Sequence, residues 1–277
     1  MLGNETKTQK GTRLIKAAFF DIDGTLLSDK TNHLIPASTK DALVQLRQRG
    51  VKCCICSGRP TAQLPWCIKD GFPGFDDAFD AYITMTGSMC YDESGVYADV
   101  PIDHEIACRF VKCVEDGMFD ALLLNRNGVF CNRRSEKVRE LERMVAFEYP
   151  VLDFSEVLNE PVYQFCAFVG PDEEHEVSDV MSDCIITRWC DLFCDVVPST
   201  SSKPKGIEAT LKHLGLSREE TIAFGDGGND ATMLAYCEIG VAMGNATDDA
   251  KASADYVTTD VDKDGIALAL RHYGLID

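Results

Sequence analysis

The chain has 277 residues, 45% hydrophobic and 26% charged, a globular balance with room for one large domain or two modest ones. Its 27 basic and 45 acidic residues give a formal net charge of -18, which opposes binding to nucleic acid or an anionic membrane surface, and the largest basic cluster is Arg133-Arg134. No run approaches the ~20 apolar residues of a membrane span and the polar start lacks a signal-peptide core, so a cytoplasmic protein is expected.

Residues 1–13 read as a flexible tail. Residues 14–20 then read as a strand, 38–49 as a helix with Ser38 as N-cap and Gly50 as stop, and 51–56 as a second strand, together a βαβ unit. The middle of the chain follows another pattern. Strands at 121–124 and 129–131 flank the hairpin signal Asn125-Arg126-Asn127-Gly128, helices are expected over 135–147 and 173–184, and further strands over 163–169 and 192–197. The α/β rhythm returns with a helix at 205–213, strand at 221–224, helix at 230–237, strand at 239–242, helix from 248, strand at 256–258 and a helix from 265. The fold expected is α/β: a doubly wound parallel-sheet core over 14–85 and 197–277, split by an inserted α+β domain over 86–196. An odd count of 13 cysteines cannot pair completely within the chain, and neighbours such as Cys53 and Cys54 point to opposite faces of a strand, so reduced thiols are expected. Cys190 and Cys194 lack the second ligand pair of a zinc site.

Two acidic clusters follow apolar strands, Asp21-Ile22-Asp23-Gly24-Thr25 and Gly225-Asp226-Gly227-Gly228-Asn229-Asp230. Both therefore stand at strand C-terminal ends, where open α/β sheets bind ligands. The Asp21 carboxylate can attack phosphorus, while Asp23, past the turn allowed by Gly24, can exchange a proton with the leaving oxygen; the bland alternative is a pair of turn or cap residues. Asp21, the main-chain carbonyl of Asp23, Asp226 and a substrate phosphate would make an oxygen set suited to Mg²⁺, with Asn229 and Asp230 orienting neighbouring groups. A phosphate cradle is completed by the Ser57 hydroxyl and the Gly58 amide in Ser57-Gly58-Arg59, by Asn229, and by Lys205 in Lys203-Pro204-Lys205-Gly206. Lys205 is taken over Lys203 because Lys-Gly precedes the expected helix; the bland readings are a helix cap for Ser57 and a solvated lysine. Asp260-Val261-Asp262-Lys263-Asp264-Gly265 matches half an EF-hand loop, but Arg271 stands where a bidentate Glu is required, so it reads as a loop and helix start.

Taken in order, these motifs, with Val241-Ala242-Met243-Gly244-Asn245-Ala246 and Ala254-Asp255-Tyr256-Val257, resemble the haloacid dehalogenase superfamily, in particular its Cof-type phosphatases with a large inserted type II cap. The resemblance implies Asp21 as nucleophile, Asp23 as general acid/base, Ser57 and Lys205 as phosphate binders, and Asp21, Asp23 and Asp226 as Mg²⁺ ligands, with Arg59 and Asp230 supporting. It also implies a small-molecule phosphate ester as substrate, sugar phosphates first, handled without nucleic acid or membrane by a monomer or homodimer. Relatives commonly carry Asn-Gly where this chain has Thr86-Gly87, which marks these two as a hinge or substrate-facing pair. Two alternatives stand: a phosphomutase, which calls for cap cations such as Arg126, Arg133 and Arg134 on a distal phosphate, and a non-catalytic sugar-phosphate sensor.

Overall fold

The computed structural model describes residues 14–28, 34–75, 78–145 and 147–277; the expected tail over 1–13 lies outside the described residues. In chain order the strands and helices are β1 (Ala17–Phe20), α1 (Ala37–Gln48), β2 (Lys52–Cys56), α2 (Trp66–Lys69), β3 (Ala81–Thr84), β4 (Met89–Asp92), β5 (Gly95–Asp99) and α3 (His104–Glu115). There follow β6 (Ala121–Asn125), β7 (Gly128–Cys131), α4 (Glu136–Val145), β8 (Val162–Ala167), α5 (Glu174–Ser178), β9 (Cys184–Cys190) and β10 (Phe193–Pro198). The chain closes with α6 (Lys203–Leu214), β11 (Thr221–Gly225), α7 (Ala231–Tyr236), β12 (Ile239–Ala242), α8 (Asp248–Ser253), β13 (Tyr256–Val257) and α9 (Gly265–His272).

Two sheets organise these elements. The eight-stranded sheet has the order β13-β12-β11-β1-β2-β3-β4-β5 and the five-stranded sheet β7-β6-β8-β10-β9. In the first, β11–β12, β12–β13 and β2–β3 run parallel, and β1, with all four residues buried, has the continuous apolar pattern of a strand covered on both faces. The chain moves outward from β1 to β2 and β3 on one side and places β11, β12 and β13 on the other, so a topological switch point falls at β1 and β11. The second sheet is antiparallel in its β6–β7, β6–β8, β8–β10 and β9–β10 pairs.

Several expectations change at the level of elements. Residues 86–99, expected in the insert, hold the hairpin β4–β5, which continues the eight-stranded sheet antiparallel to β3. The helix expected over 173–184 is confined to Glu174–Ser178, because Cys184-Ile185-Ile186-Thr187, rich in β-branched residues, pairs with β10 instead. Pro36 rather than Ser38 occupies the N-cap of α1, while Gly50, at φ +79°, stops the helix as expected. All thirteen cysteines are thiols rather than disulfides.

Contact density divides the chain into two units. Of the described residues, one comprises those up to Phe19 with those of Asp23–Cys53 and Leu214–Asp277; the other comprises Phe20–Ile22 and those of Cys54–His213, and so holds the five-stranded sheet. Within the second, one face of that sheet packs Leu123, Phe165 and Val196 against Phe110, Val111 and Val114 of α3, and the other gathers Leu122, Leu124, Cys166 and Phe193 with Met85 and Met89. None of the described helices is long and apolar enough to cross a membrane.

Candidate active site

The turn after β11 is built around Asp226. Thr25 Oγ1 donates to Asp226 Oδ1 at 2.9 Å, and Asn245 Nδ2 donates to Asp226 Oδ2 at 3.3 Å and to the Gly24 carbonyl at 2.8 Å. Asn245 is itself fixed, its Oδ1 accepting from the Val261 amide at 2.9 Å. Gly24, at φ +75°, lets its backbone lie against this carboxylate; a Cβ there would stand 2.1 Å from Asp226 Oδ2. Asp230, fully buried, accepts from the amides of Asp226 and Gly227 at 2.9 Å each through Oδ2. It therefore shapes the turn. Asn229 is exposed with its amide oxygen over Gly227, where a Cβ would come within 2.4 Å of it.

A second constellation surrounds Asp21, which is 7% exposed at the end of β1. Lys203, 1% exposed, donates from Nζ to Asp21 Oδ1 at 2.6 Å. Lys205, the lysine expected to bind phosphate, is exposed on α6. The helix begins two residues earlier than expected and buries Lys203, Gly206, Ile207, Thr210 and Leu211, an i, i+3, i+4, i+7, i+8 stripe that leaves position 205 in solvent. Gly206 sets the depth of that stripe, since a Cβ there would come within 2.4 Å of Ile83 Cγ2 and 3.1 Å of Gly87 Cα.

Ser57 follows β2 and is 2% exposed; its Oγ accepts from the Arg59 amide at 3.1 Å. No helix starts at Ser57, as the next element is a single turn at Thr61–Gln63, so the phosphate-binding amides expected there belong to a loop. Within it the Gly58 amide has no hydrogen-bond partner among the described residues, and Arg59 turns its guanidinium back onto the Gln63 carbonyl at 3.0 Å. Met85 and Thr86 donate backbone bonds to the carbonyls of Arg59 and Ser57 at 3.1 and 3.2 Å.

Met85, Thr86 and Gly87 form three successive left-handed residues, at φ 48°, 55° and 93°. For a β-branched residue such as Thr86 this conformation is held only by its surroundings, at a cost on the order of 1–3 kcal/mol. The surroundings are specific: Ser201 Oγ donates to the Thr86 carbonyl at 3.2 Å and accepts from Ser88 Oγ at 2.9 Å, and a Cβ on Gly87 would stand 2.1 Å from the Ser202 carbonyl oxygen. The turn thus braces the start of the helix that delivers Lys203. Thr25, Asn245, Ser88 and Ser201 were assigned no role from sequence. Asn245 lies within Val241-Ala242-Met243-Gly244-Asn245-Ala246, and the 203-206-207-210 spacing is the sequence signal for a buried Lys203.

Asp21, Asp226 and Asp230 each offer a carboxylate oxygen, and these atoms lie within 4.8 Å of one another. The side chain of Asp23 is exposed and not part of this group. Hard oxygen donors at such spacing fit a divalent cation, and the glycine cradle holding Asp226 leaves no space for a side chain at position 24.

The haloacid dehalogenase-like hydrolase family model matches residues 18–270. The chain belongs to that family. YkrA of Bacillus subtilis (strain 168) is 31% identical over 263 residues, covering 94% of this chain and 98% of the relative. Among solved structures, the subclass IIB sugar phosphatase BT4131 of the same superfamily is 38% identical with a TM-score of 0.82, over 94% of this chain and 100% of the other. The phosphatase BT1666 from Bacteroides thetaiotaomicron is 33% identical with a TM-score of 0.85, over 99% and 100%. With these relatives, the chain is a phosphatase of the superfamily.

Proposed function

We propose that the protein is a Mg²⁺-dependent hydrolase of small phosphomonoesters, sugar phosphates foremost, acting in the cytoplasm through an aspartyl-phosphate on Asp21. The observation that carries this reading is the buried Lys203–Asp21 pair. A lysine this deep places its positive charge beside the carboxylate that would receive the phosphoryl group. A sugar phosphatase and a relative named 5-amino-6-(5-phospho-D-ribitylamino)uracil phosphatase, YitU of Bacillus subtilis (strain 168), 26% identical over 91% of this chain, support small phosphate esters as the substrate class.

In the proposed cycle, an Asp21 carboxylate oxygen bonds to phosphorus while the ester P–O bond breaks, and Asp23 gives its proton to the departing alkoxide. Asp23, now ionised, takes a proton from water as that water attacks phosphorus, the bond to Asp21 breaks, and inorganic phosphate leaves. Ser57, Gly58 and Asn229 hold phosphate oxygens in this account, and Lys203 takes the role first given to Lys205. Asp21 and Asp226, with Asp230 or the Asp23 carbonyl, would hold Mg²⁺, which when bound neutralises charge on the transferring group. The phosphomutase alternative loses ground because each cap arginine it needs already meets a carboxylate: Arg126 meets Asp99, Arg133 meets Asp120, and Arg134 meets Glu142.

Phosphate release from a panel of sugar phosphates and phosphorylated cofactors tests the reading. Wild type with Mg²⁺ is expected to turn over, to fall silent on chelation and to recover on adding metal back; metal-independent release, or isomerisation of hexose phosphates without release, contradicts it.

A further inference from the structure

The turn after β12 is stitched to the end of β11, since Met243 and Thr247 donate backbone bonds to the Gly225 and Asp226 carbonyls at 3.0 and 2.8 Å. Asn245 lies within this turn, exposed to solvent, yet each polar atom of its side chain is committed. Oδ1 accepts from the Val261 amide at 2.9 Å, and Nδ2 donates to the Gly24 carbonyl at 2.8 Å and to Asp226 Oδ2 at 3.3 Å. The three partners come from three separate segments: the turn after β1, the turn after β11 and the loop before α9. An exposed amide gains little stability from such bonds, because water would serve its groups nearly as well.

These partners leave the amide one orientation. The Val261 N–H needs the oxygen, while a carbonyl and a carboxylate need the NH₂ group. The 259–261 loop backs Asn245 closely: Gly244 donates to the Thr259 carbonyl at 3.0 Å, and a Cβ on Gly244 would stand 2.5 Å from Asp260 Oδ1. The half EF-hand sequence that starts at Asp260 thus supplies a wall rather than a cation loop. On its other side Asn245 grips Gly24, whose own N–H donates to the Leu27 carbonyl at 3.0 Å. In a trans peptide the Asp23 C=O points opposite to that N–H, so both peptide planes flanking Gly24 are fixed, and the direction of the Asp23 carbonyl with them. The Asp226 carboxylate is held at both oxygens, by Thr25 on Oδ1 and Asn245 on Oδ2, which opposes its rotation.

Mg²⁺ demands near-octahedral oxygen ligands at about 2.0–2.1 Å, whereas Ca²⁺ takes six to eight at about 2.3–2.6 Å in flexible arrangements, often with both oxygens of one carboxylate. A carboxylate held at both oxygens and a carbonyl held through its peptide form a preset pair that a larger ion must force apart. We propose that Asn245 is the positioning residue that selects ion size, favouring Mg²⁺ over Ca²⁺ by fixing Asp226 relative to the 23–24 turn. The proposal rests on the Mg²⁺-dependent reading and assigns its ion discrimination.

Calorimetric titration of Mg²⁺ and of Ca²⁺ into wild type, Asn245→Ala and the near-isosteric Asn245→Leu, without substrate, tests it. Each variant is expected to lose about 30-fold in Mg²⁺ affinity and no more than about threefold in Ca²⁺ affinity, so discrimination between the ions narrows about tenfold. Urea unfolding of the metal-free proteins is expected to give midpoints near that of wild type. Steady-state rates should show the same division: the Mg²⁺ concentration for half-maximal rate rises about 30-fold, while kcat at saturating metal falls far less. Equal losses for both ions, the mark of general loosening, or unchanged Mg²⁺ affinity in both variants, overturns the proposal and leaves the metal reading standing. Wild type that binds no Mg²⁺ defeats the metal reading itself and this assignment with it.

Discussion

The ends of β1 and β11 and the packed β8–β10 face of the five-stranded sheet treat polar groups in opposite ways. At the strand ends the acidic groups are met from within: Lys203 covers Asp21, Thr25 and Asn245 hold the two oxygens of Asp226, and Asp230 closes the turn through two amides. On the sheet face Gln164 Oε1 is buried with no hydrogen-bond partner among the described residues, while Asp195 Oδ1 accepts from Gln164 and Cys166. Preorganised charge suits chemistry common to every substrate, since it needs no rearrangement when phosphorus is attacked.

The sharpest way to break that contrast is to disturb the strand ends. Lys203→Met removes one partner of a buried ion pair and is expected to lower kcat by about three orders of magnitude and stability by about 3 kcal/mol, read by steady-state kinetics and urea unfolding. Lys205→Ala should stay within about twofold in kcat and about 0.5 kcal/mol in stability; a reversed pattern would return the phosphate role to Lys205. Gly87→Ala puts a Cβ against the Ser202 carbonyl and forces a left-handed alanine, which predicts a loss of about 2 kcal/mol in urea unfolding, together with reduced kcat because the start of α6 shifts. Thr25→Val leaves Asp226 Oδ1 without its donor and is expected to weaken Mg²⁺ activation about tenfold, measured as the metal concentration giving half-maximal rate.

The smallest effect lies on the sheet face. Because the folded-state pKa of Asp195 is raised, the native protein binds its proton more tightly than the unfolded chain does. Wild-type stability should therefore fall, relative to Asp195→Asn, as pH rises from about 4 through 6 and level off above, with a difference reaching about 1 kcal/mol for a half-buried group. Thermal melts across that range check it; a difference that grows towards acid in favour of the variant has the wrong sign.

The placement of the candidate core groups is legible in sequence because each sits within a few residues of a strand end, where apolar runs and glycine turns mark the position. Asp21, Ser57 and Asp226 could be placed that way. Lys203 could not, since Lys203 and Lys205 differ only in which side of a helix they occupy, and that side is fixed by Gly206 packing on Ile83 and Gly87. Over 86–196, α3 and the strands β4, β5 and β9 had no expectation, and part of 173–184 was read as helix. Alternation in Cys184–Cys190 is ambiguous on its own, and pairing with β10 resolves it. The Gln164–Asp195 contact spans 31 residues and depends on register between β8 and β10, which no local pattern specifies.

The central claim is that Asp21 carries the phosphoryl group. Rapid acid quench during single turnover of p-nitrophenyl phosphate, followed by mass spectrometry of the peptide containing Asp21, tests it directly. The account predicts one phosphoryl group on Asp21 that forms with the burst of nitrophenol, decays as phosphate appears, and is absent in Asp21→Asn. Full turnover with no phosphoryl adduct at any quench time, or an adduct that persists in Asp21→Asn, would contradict it.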